Sequence, residues 1–160
     1  MRSTLGRFLL CLAVLLVPAA ARAGTFAPAQ GTEQQVLGLL NQIREQHHLG
    51  ALAASLTLRA AARAHSADML RIGYFGHDSP TETFEVRLSH YLASPLIGET
   101  IARGAGSSGT PAGLVTQWMH SASHRAVILT PGLHRVGIGA VIGTFDGSRG
   151  VVMATADFAA

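Results

Sequence analysis

Residues 136–143 read VGIGAVIG, and this stretch restricts the architecture more than any other. Val136, Ile138, Ala140 and Ile142 fall on one side of an extended strand, while Gly137, Gly139, Val141 and Gly143 fall on the other, a period of 2. A face made largely of glycine presents almost no side chain, so a helix or another backbone is expected to approach it closely. Asp146-Gly147 then supplies a turn, and VVMATADF supplies the returning strand. The C-terminal third is therefore expected to be a β-hairpin with one bare face.

Upstream, the period is helical. Thr32-Glu33-Gln34-Gln35 has the form of a capping box, and Val36, Leu39, Leu40 and Ile43 follow at helical spacing, which predicts a helix over 33–47 that stops near Gly50. His47 and His48 fall in its last turn, where a positive charge suits the carbonyl end. Thr57 marks a second start, followed by the stripe Leu58, Ala62, His65, Met69 and Ile72 and a stop at Gly73. His65 on that stripe reads as a buried, hydrogen-bonded core histidine. The turn FGHDSP comes next, then a short helix around Phe84, Leu88 and Tyr91 and a break at Ser94-Pro95.

LIGETIARG, residues 96–104, reads as a short strand entering a glycine-rich loop, GAGSSGTP, whose composition predicts flexibility. Thr110 and Pro111 suit the cap and first position of another helix, with Leu114, Val115, Trp118 and Met119 as its buried face. These glycines lack the endings of a phosphate-binding loop. Helices first, then a hairpin beside an earlier strand, give an α+β fold in which helices cover a small antiparallel sheet, in one domain over 32–160.

The first residues belong to another category. Met1, Arg2 and Arg7 precede the apolar run Phe8 to Val17, and Ala21-Arg22-Ala23 matches a small-x-small cleavage pattern. Residues 1–23 are expected to be a cleaved signal peptide and 24–31 a flexible lead-in, with export to the periplasm or the extracellular space and no stable membrane anchor after cleavage. All twelve basic residues are arginine, and Arg2, Arg7 and Arg22 lie in the signal, which leaves nine against nine acidic residues. The high pI is then no argument for nucleic acid as a partner. The single cysteine, Cys11, also leaves with the signal, so no disulfide is available to the domain.

A functional site has to be assembled from separate segments. His77 lies in the FGHDSP turn, Glu99 on the strand, and His124 in SASHRAVIL, where Ser121 or Ser123 caps a further helix. Two imidazoles and a carboxylate suit a divalent cation, zinc first, with an open coordination position. Glu99 could equally be a strand-end residue in water, and Arg125 an ion-pair partner or a surface charge. His120 and His124 are four apart, but Ser121 stands where the metalloprotease pattern needs glutamate, and the serines break the helix between them. A serine nucleophile would have to be Ser121 or Ser123 acting with His124 or His77 and oriented by Glu99.

Taken in order, LLNQIREQHHLGAL, LRAAARAHSADMLRIGYFGHDSP, IGETIARG, QWMHSASHRAVILTPGLHRVGIGA and ATADF resemble the bacterial branch of the CAP superfamily, the cysteine-rich secretory, antigen 5 and pathogenesis-related 1 group, also called SCP-like. The resemblance spans about residues 33–158. It implies a three-layer α-β-α sandwich and a cleft in which two His and two Glu gather, sometimes around a divalent ion. His77 matches the first cleft histidine, Glu99 the glutamate of the G-E-N segment, and His124 the second histidine. Ser121 occupies the position of the remaining glutamate, Thr100 replaces the usual Asn, and Ala122-Ser123 replaces Pro-Gly. Losing one carboxylate weakens the expected affinity for a cation.

Three functional expectations follow. The first is a binding or interaction module whose cleft, formed by His77, Glu99, Ser121 and His124, takes a divalent metal, a small or lipid-like ligand, or a cell-envelope component. The second is a hydrolase of peptides or cell-wall material with Glu99 as general base. The third is a His-Glu-His hydrogen-bond network that is purely structural.

Overall fold

The computed structural model describes residues 26–29 and 31–160. The expected signal peptide lies outside the described residues. The hairpin consists of β4 (Arg135–Phe145) and β5 (Ser148–Ala159), turning at Asp146 and Gly147 with φ of 47° and 74°. Two successive positive φ values are what a twisted two-residue hairpin loop requires.

β5 lies between β4 and β3 (Ile97–Gly104), and both pairings are antiparallel. β1 (Ala27–Pro28) joins the outer edge of β4 antiparallel, so part of the expected lead-in belongs to the sheet. β2 (Ala53–Ala54) pairs with the same edge in parallel, a departure from the all-antiparallel expectation. The strand order is β1-β4-β5-β3, with β2 beside β4.

The bare face of β4 receives α2 (Leu56–Ile72). A Cβ added at Gly137 would lie 1.9 Å from Arg59 N and 2.0 Å from Leu58 C, and one at Gly139 would lie 2.1 Å from Arg63 N. Helix backbone thus rests directly on strand backbone. Towards the hairpin tip the gap widens, and Val141 fills it against Met69 and Leu70. α3 (Phe84–Ser89) joins α2 on this face, with Leu88 packed on Leu58, Ala61 and Ala159.

The opposite face carries Val136, Ile138, Ala140, Val152, Ala154, Ala156 and Phe158, buried against α1 (Thr32–Gln46), α4 (Pro111–His120) and α5 (Ala122–Ile128). Trp118 of α4 and Leu40 of α1 are fully buried there. The result is an α-β-α sandwich.

Several local expectations shift. Gly31, in the left-handed region, and not Thr32, is the N-cap of α1, and no side chain caps that end. Ser55, whose Oγ accepts from Leu58 N–H at 3.3 Å, caps α2 in place of Thr57. Ile72 is 48% exposed, and Ala61, Ser66 and Leu70 complete the buried stripe instead. The glycine-rich segment folds into a 3-10 turn over Gly106–Gly109, closed by Ser108 Oγ donating to Ala105 O at 2.8 Å and accepting from Ala105 N–H at 3.1 Å. Thr110 caps α4 as its spacing predicts.

Candidate functional site

Strand register sets the floor of the site. Glu99 of β3 stands opposite Asp157 of β5, so the two side chains rise from neighbouring strands on the α2 side of the sheet. Here α2 contributes His65 and α3 contributes Arg87, both buried. Glu99 is therefore not the strand-end residue in water; its side chain is 1% exposed.

Each oxygen of Glu99 meets a different donor. Oε1 lies 2.8 Å from His77 Nδ1, and Oε2 accepts from Arg87 Nη2 at 2.5 Å, with His65 Nε2 3.8 Å away. Burial pushes the Glu99 carboxyl up, but the His77 hydrogen bond, the Arg87 charge and His65 together outweigh it and hold Glu99 below the usual carboxylate range. Burial first, and then the Glu99 charge, raise Asp157 well above the usual range, only partly offset by Arg87. No N–H or hydroxyl donor of another described residue reaches its two oxygens, and Arg87 Nη1 stands 3.8 Å from Oδ2. The Glu99 charge across the ladder and a side-chain hydrogen bond from the protonated Asp157 carboxyl to Glu99 both favour the neutral form of Asp157.

The turn that carries His77 is fastened at three successive residues. His65 Nε2 meets Gly76 O at 3.0 Å, Arg87 Nη2 donates to His77 O at 3.4 Å, and Asp78 Oδ1 accepts from Phe84 N–H at 2.8 Å at the entry to α3. Burial lowers the His65 pKa against the pull of Glu99, and in either charge state a proton on Nε2 is given to Gly76 O. His65 is a buried core histidine, as its place on the stripe implies.

His124 arrives from the other layer, around the β3 edge. Ser121 is the N-cap of α5, its Oγ accepting from His124 N–H at 3.5 Å, and its other hydrogen bond goes to Ser123 Oγ at 3.1 Å. Among the described residues neither serine hydroxyl hydrogen-bonds an imidazole. The backbone break at Ser121 also puts His120 on a separate helix from His124.

His124 Nε2 lies 3.2 Å from His77 Nε2, the rings crossing at 64°. Ionised Glu99 fixes the proton of His77 on Nδ1, so in the neutral pair His77 offers a lone pair at Nε2 and His124 donates to it. Burial, then the neighbouring His77, lower the His124 pKa against the pull of Glu99, which favours that neutral form. With both rings neutral, the chain therefore runs from His124 to His77 to Glu99.

Two imidazole nitrogens bound to one tetrahedral zinc at about 2.0–2.1 Å would stand roughly 3.3 Å apart. The observed separation of 3.2 Å is close to that bite. Both Glu99 oxygens are engaged, Oε1 with the His77 imidazole and Oε2 with Arg87, so the carboxylate orients the ring. Among the described residues no group of three or more His, Cys, Asp or Glu is arranged to hold an ion.

The family model for the cysteine-rich secretory protein family, CAP, matches residues 37–158. The chain belongs to the CAP family. YkwD of Bacillus subtilis is 38% identical over 111 residues, which make up 68% of this chain and 42% of YkwD. An extracellular SCP-domain protein of Bacillus anthracis superposes with a TM-score of 0.68 at 33% identity, over 81% of this chain and 40% of that one. This CAP domain therefore spans less than half the length of either Bacillus relative. An outer surface protein of Borrelia burgdorferi shares the fold at 18% identity, with a TM-score of 0.74 over 85% of this chain and 97% of its own.

His77, Glu99 and His124 meet within one hydrogen-bonded chain, while Ser121 acts on the backbone of His124. No motif in the sequence marks Arg87 or Asp157 as part of the site. A lone acid inside the apolar run VVMATADF was a usable signal, because a buried carboxyl needs a reason.

Proposed function

We propose that this is an exported CAP-domain binding module whose centre is the His77–His124 pair, taking one divalent cation, zinc foremost, on the two Nε2 atoms. The observation that carries this reading is the 3.2 Å approach of those nitrogens with Nδ1 of His77 committed to Glu99. The cation would serve as a Lewis acid or as a bridge to a polar group of a ligand, and solvent or ligand would complete its coordination. Binding requires His124 to surrender its Nε2 proton, by moving it to Nδ1 or releasing it to solvent, so uptake weakens in acid.

Export is supported by the basic-then-apolar start of the chain and by a relative described as an extracellular protein. No helix among the described residues is long and apolar enough to cross a membrane. The hydrolase alternative asks Glu99 to take a proton from water, and its oxygens are sealed and already accepting. Binding is the better supported use of the site.

Calorimetric titration of zinc into the metal-free protein at pH 7.5 checks the reading. One equivalent is expected to bind to the parent protein, and His77→Ala and His124→Ala should each abolish the heat. No heat from the parent at millimolar zinc would remove the proposal.

A further inference from the structure

Arg87 is 6% exposed, and of its three guanidinium nitrogens only Nη2 makes hydrogen bonds among the described residues. Both of those bonds end on what holds His77. One goes to Glu99 Oε2, leaving Oε1 to the ring at Nδ1, and the other goes to the peptide oxygen of His77 itself. A buried guanidinium that spends its hydrogen bonds this way fixes a ring at both ends, through its backbone and through the carboxylate that receives its proton. Asp157, 3.8 Å from Nη1, makes no hydrogen bond that would draw the guanidinium away from Glu99.

The structure assigns Arg87 as the positioning residue of the cleft: by holding Glu99 and the His77 carbonyl together it dictates that His77 carries its proton on Nδ1 and presents Nε2 to His124 and to any bound cation. This rests on the His77–His124 reading above. Without Arg87 the carboxylate loses its strongest charge partner and the turn loses one of its fastenings, so the ring can rotate and exchange tautomers. Phe84, whose ring lies 5.6 Å from the guanidinium carbon, packs beside it and leaves the side chain little freedom to seek other partners.

The test uses 15N-labelled metal-free protein and two variants, Arg87→Met and Arg87→Lys. In the parent, His77 should show a single Nδ1–H tautomer in long-range imidazole spectra, and the Arg87 Nη protons should resolve as a hindered guanidinium. Arg87→Met should give mixed His77 tautomers and bind zinc about 10–100-fold more weakly, the usual loss when an outer partner of a ligand is removed. Arg87→Lys keeps the charge without the planar fork and should recover stability but only part of the zinc affinity. An unchanged tautomer and affinity in Arg87→Met would overturn the assignment, as would full recovery by Arg87→Lys, which would reduce Arg87 to a neutralising charge. Should Arg87→Met fail to fold, the parent still decides: a freely rotating Arg87 guanidinium or an Nε2–H tautomer of His77 sinks the inference. If the parent binds no zinc, the metal reading falls by itself, and the tautomer comparison still tests Arg87.

Discussion

Asp157 and Glu99 face one another across two strands, yet their environments drive their protons in opposite directions. The folded pKa of Glu99 is depressed, so its contribution to stability is present above the unfolded value and is lost as pH falls through the folded one. The folded pKa of Asp157 is raised above 3.8, so over that window the native state binds more protons than the unfolded chain, and stability falls as pH rises through it. Asp157→Asn resembles the neutral acid in shape and hydrogen bonding. It is expected to flatten the decline above pH 4 in thermal melts, while keeping the acid-side loss due to Glu99. A variant more than about 1 kcal/mol less stable than the parent at pH 7 would mean that Asp157 is ionised and paired with Arg87. At this scale the sequence displayed His77, Glu99 and His124 through their motifs. It hid Arg87 because a six-residue helix has too few positions for a pattern, and it hid Asp157 because only strand register places it against Glu99.

Between elements, the decisive contact is the seat of α2 on β4. Gly139→Ala would drive a methyl group to 2.1 Å from Arg63 N, against backbone on both sides, so the helix would have to move. The expected cost is at least about 3 kcal/mol, the upper end for overpacking. Gly38→Ala makes a sharp control. It sits on the exposed side of α1 with nothing within 4 Å of a new Cβ, and should gain about 0.5–1 kcal/mol from helix propensity. Urea melts of the two variants should therefore shift in opposite directions, and a neutral Gly139→Ala would refute the close seat. This contact was legible because a period of 2 with glycine on one face allows few other partners. The ends of helices were less so: Ser55 and Thr57 are both good caps, and only the path of the chain out of β2 selects Ser55. Likewise the composition of 104–111 suggests a loose loop, but its serine and threonine hydroxyls close it into a turn.

Across the whole molecule, cohesion between layers has to come without disulfides, since Cys11 is the only cysteine and precedes the described residues. Much of it runs through Arg44, a residue of the last turn of α1 that is fully buried and that helical periodicity alone could not distinguish from a solvated arginine. Its Nε donates to Gly50 O at 2.8 Å, Nη1 to Ile128 O at 2.7 Å and Thr130 O at 3.0 Å, and Nη2 to Leu133 O at 3.1 Å. One guanidinium thus terminates α5, shapes the approach to β4 and ties both to α1. Arg44→Met would fill similar volume but leave these carbonyls without donors, at about 1–3 kcal/mol for each acceptor that water cannot reach. A net loss of roughly 3–5 kcal/mol is expected, a large part of the ~5–15 kcal/mol that holds a typical domain together. Arg44→Lys should fall between, because an ammonium cannot span acceptors on three segments at once. In urea melts the midpoint should drop with the slope unchanged, and dithiothreitol should leave all three proteins where they were. If Arg44→Met melts with the parent, the carbonyls must find water or new partners, and the layers must be joined by apolar contact alone.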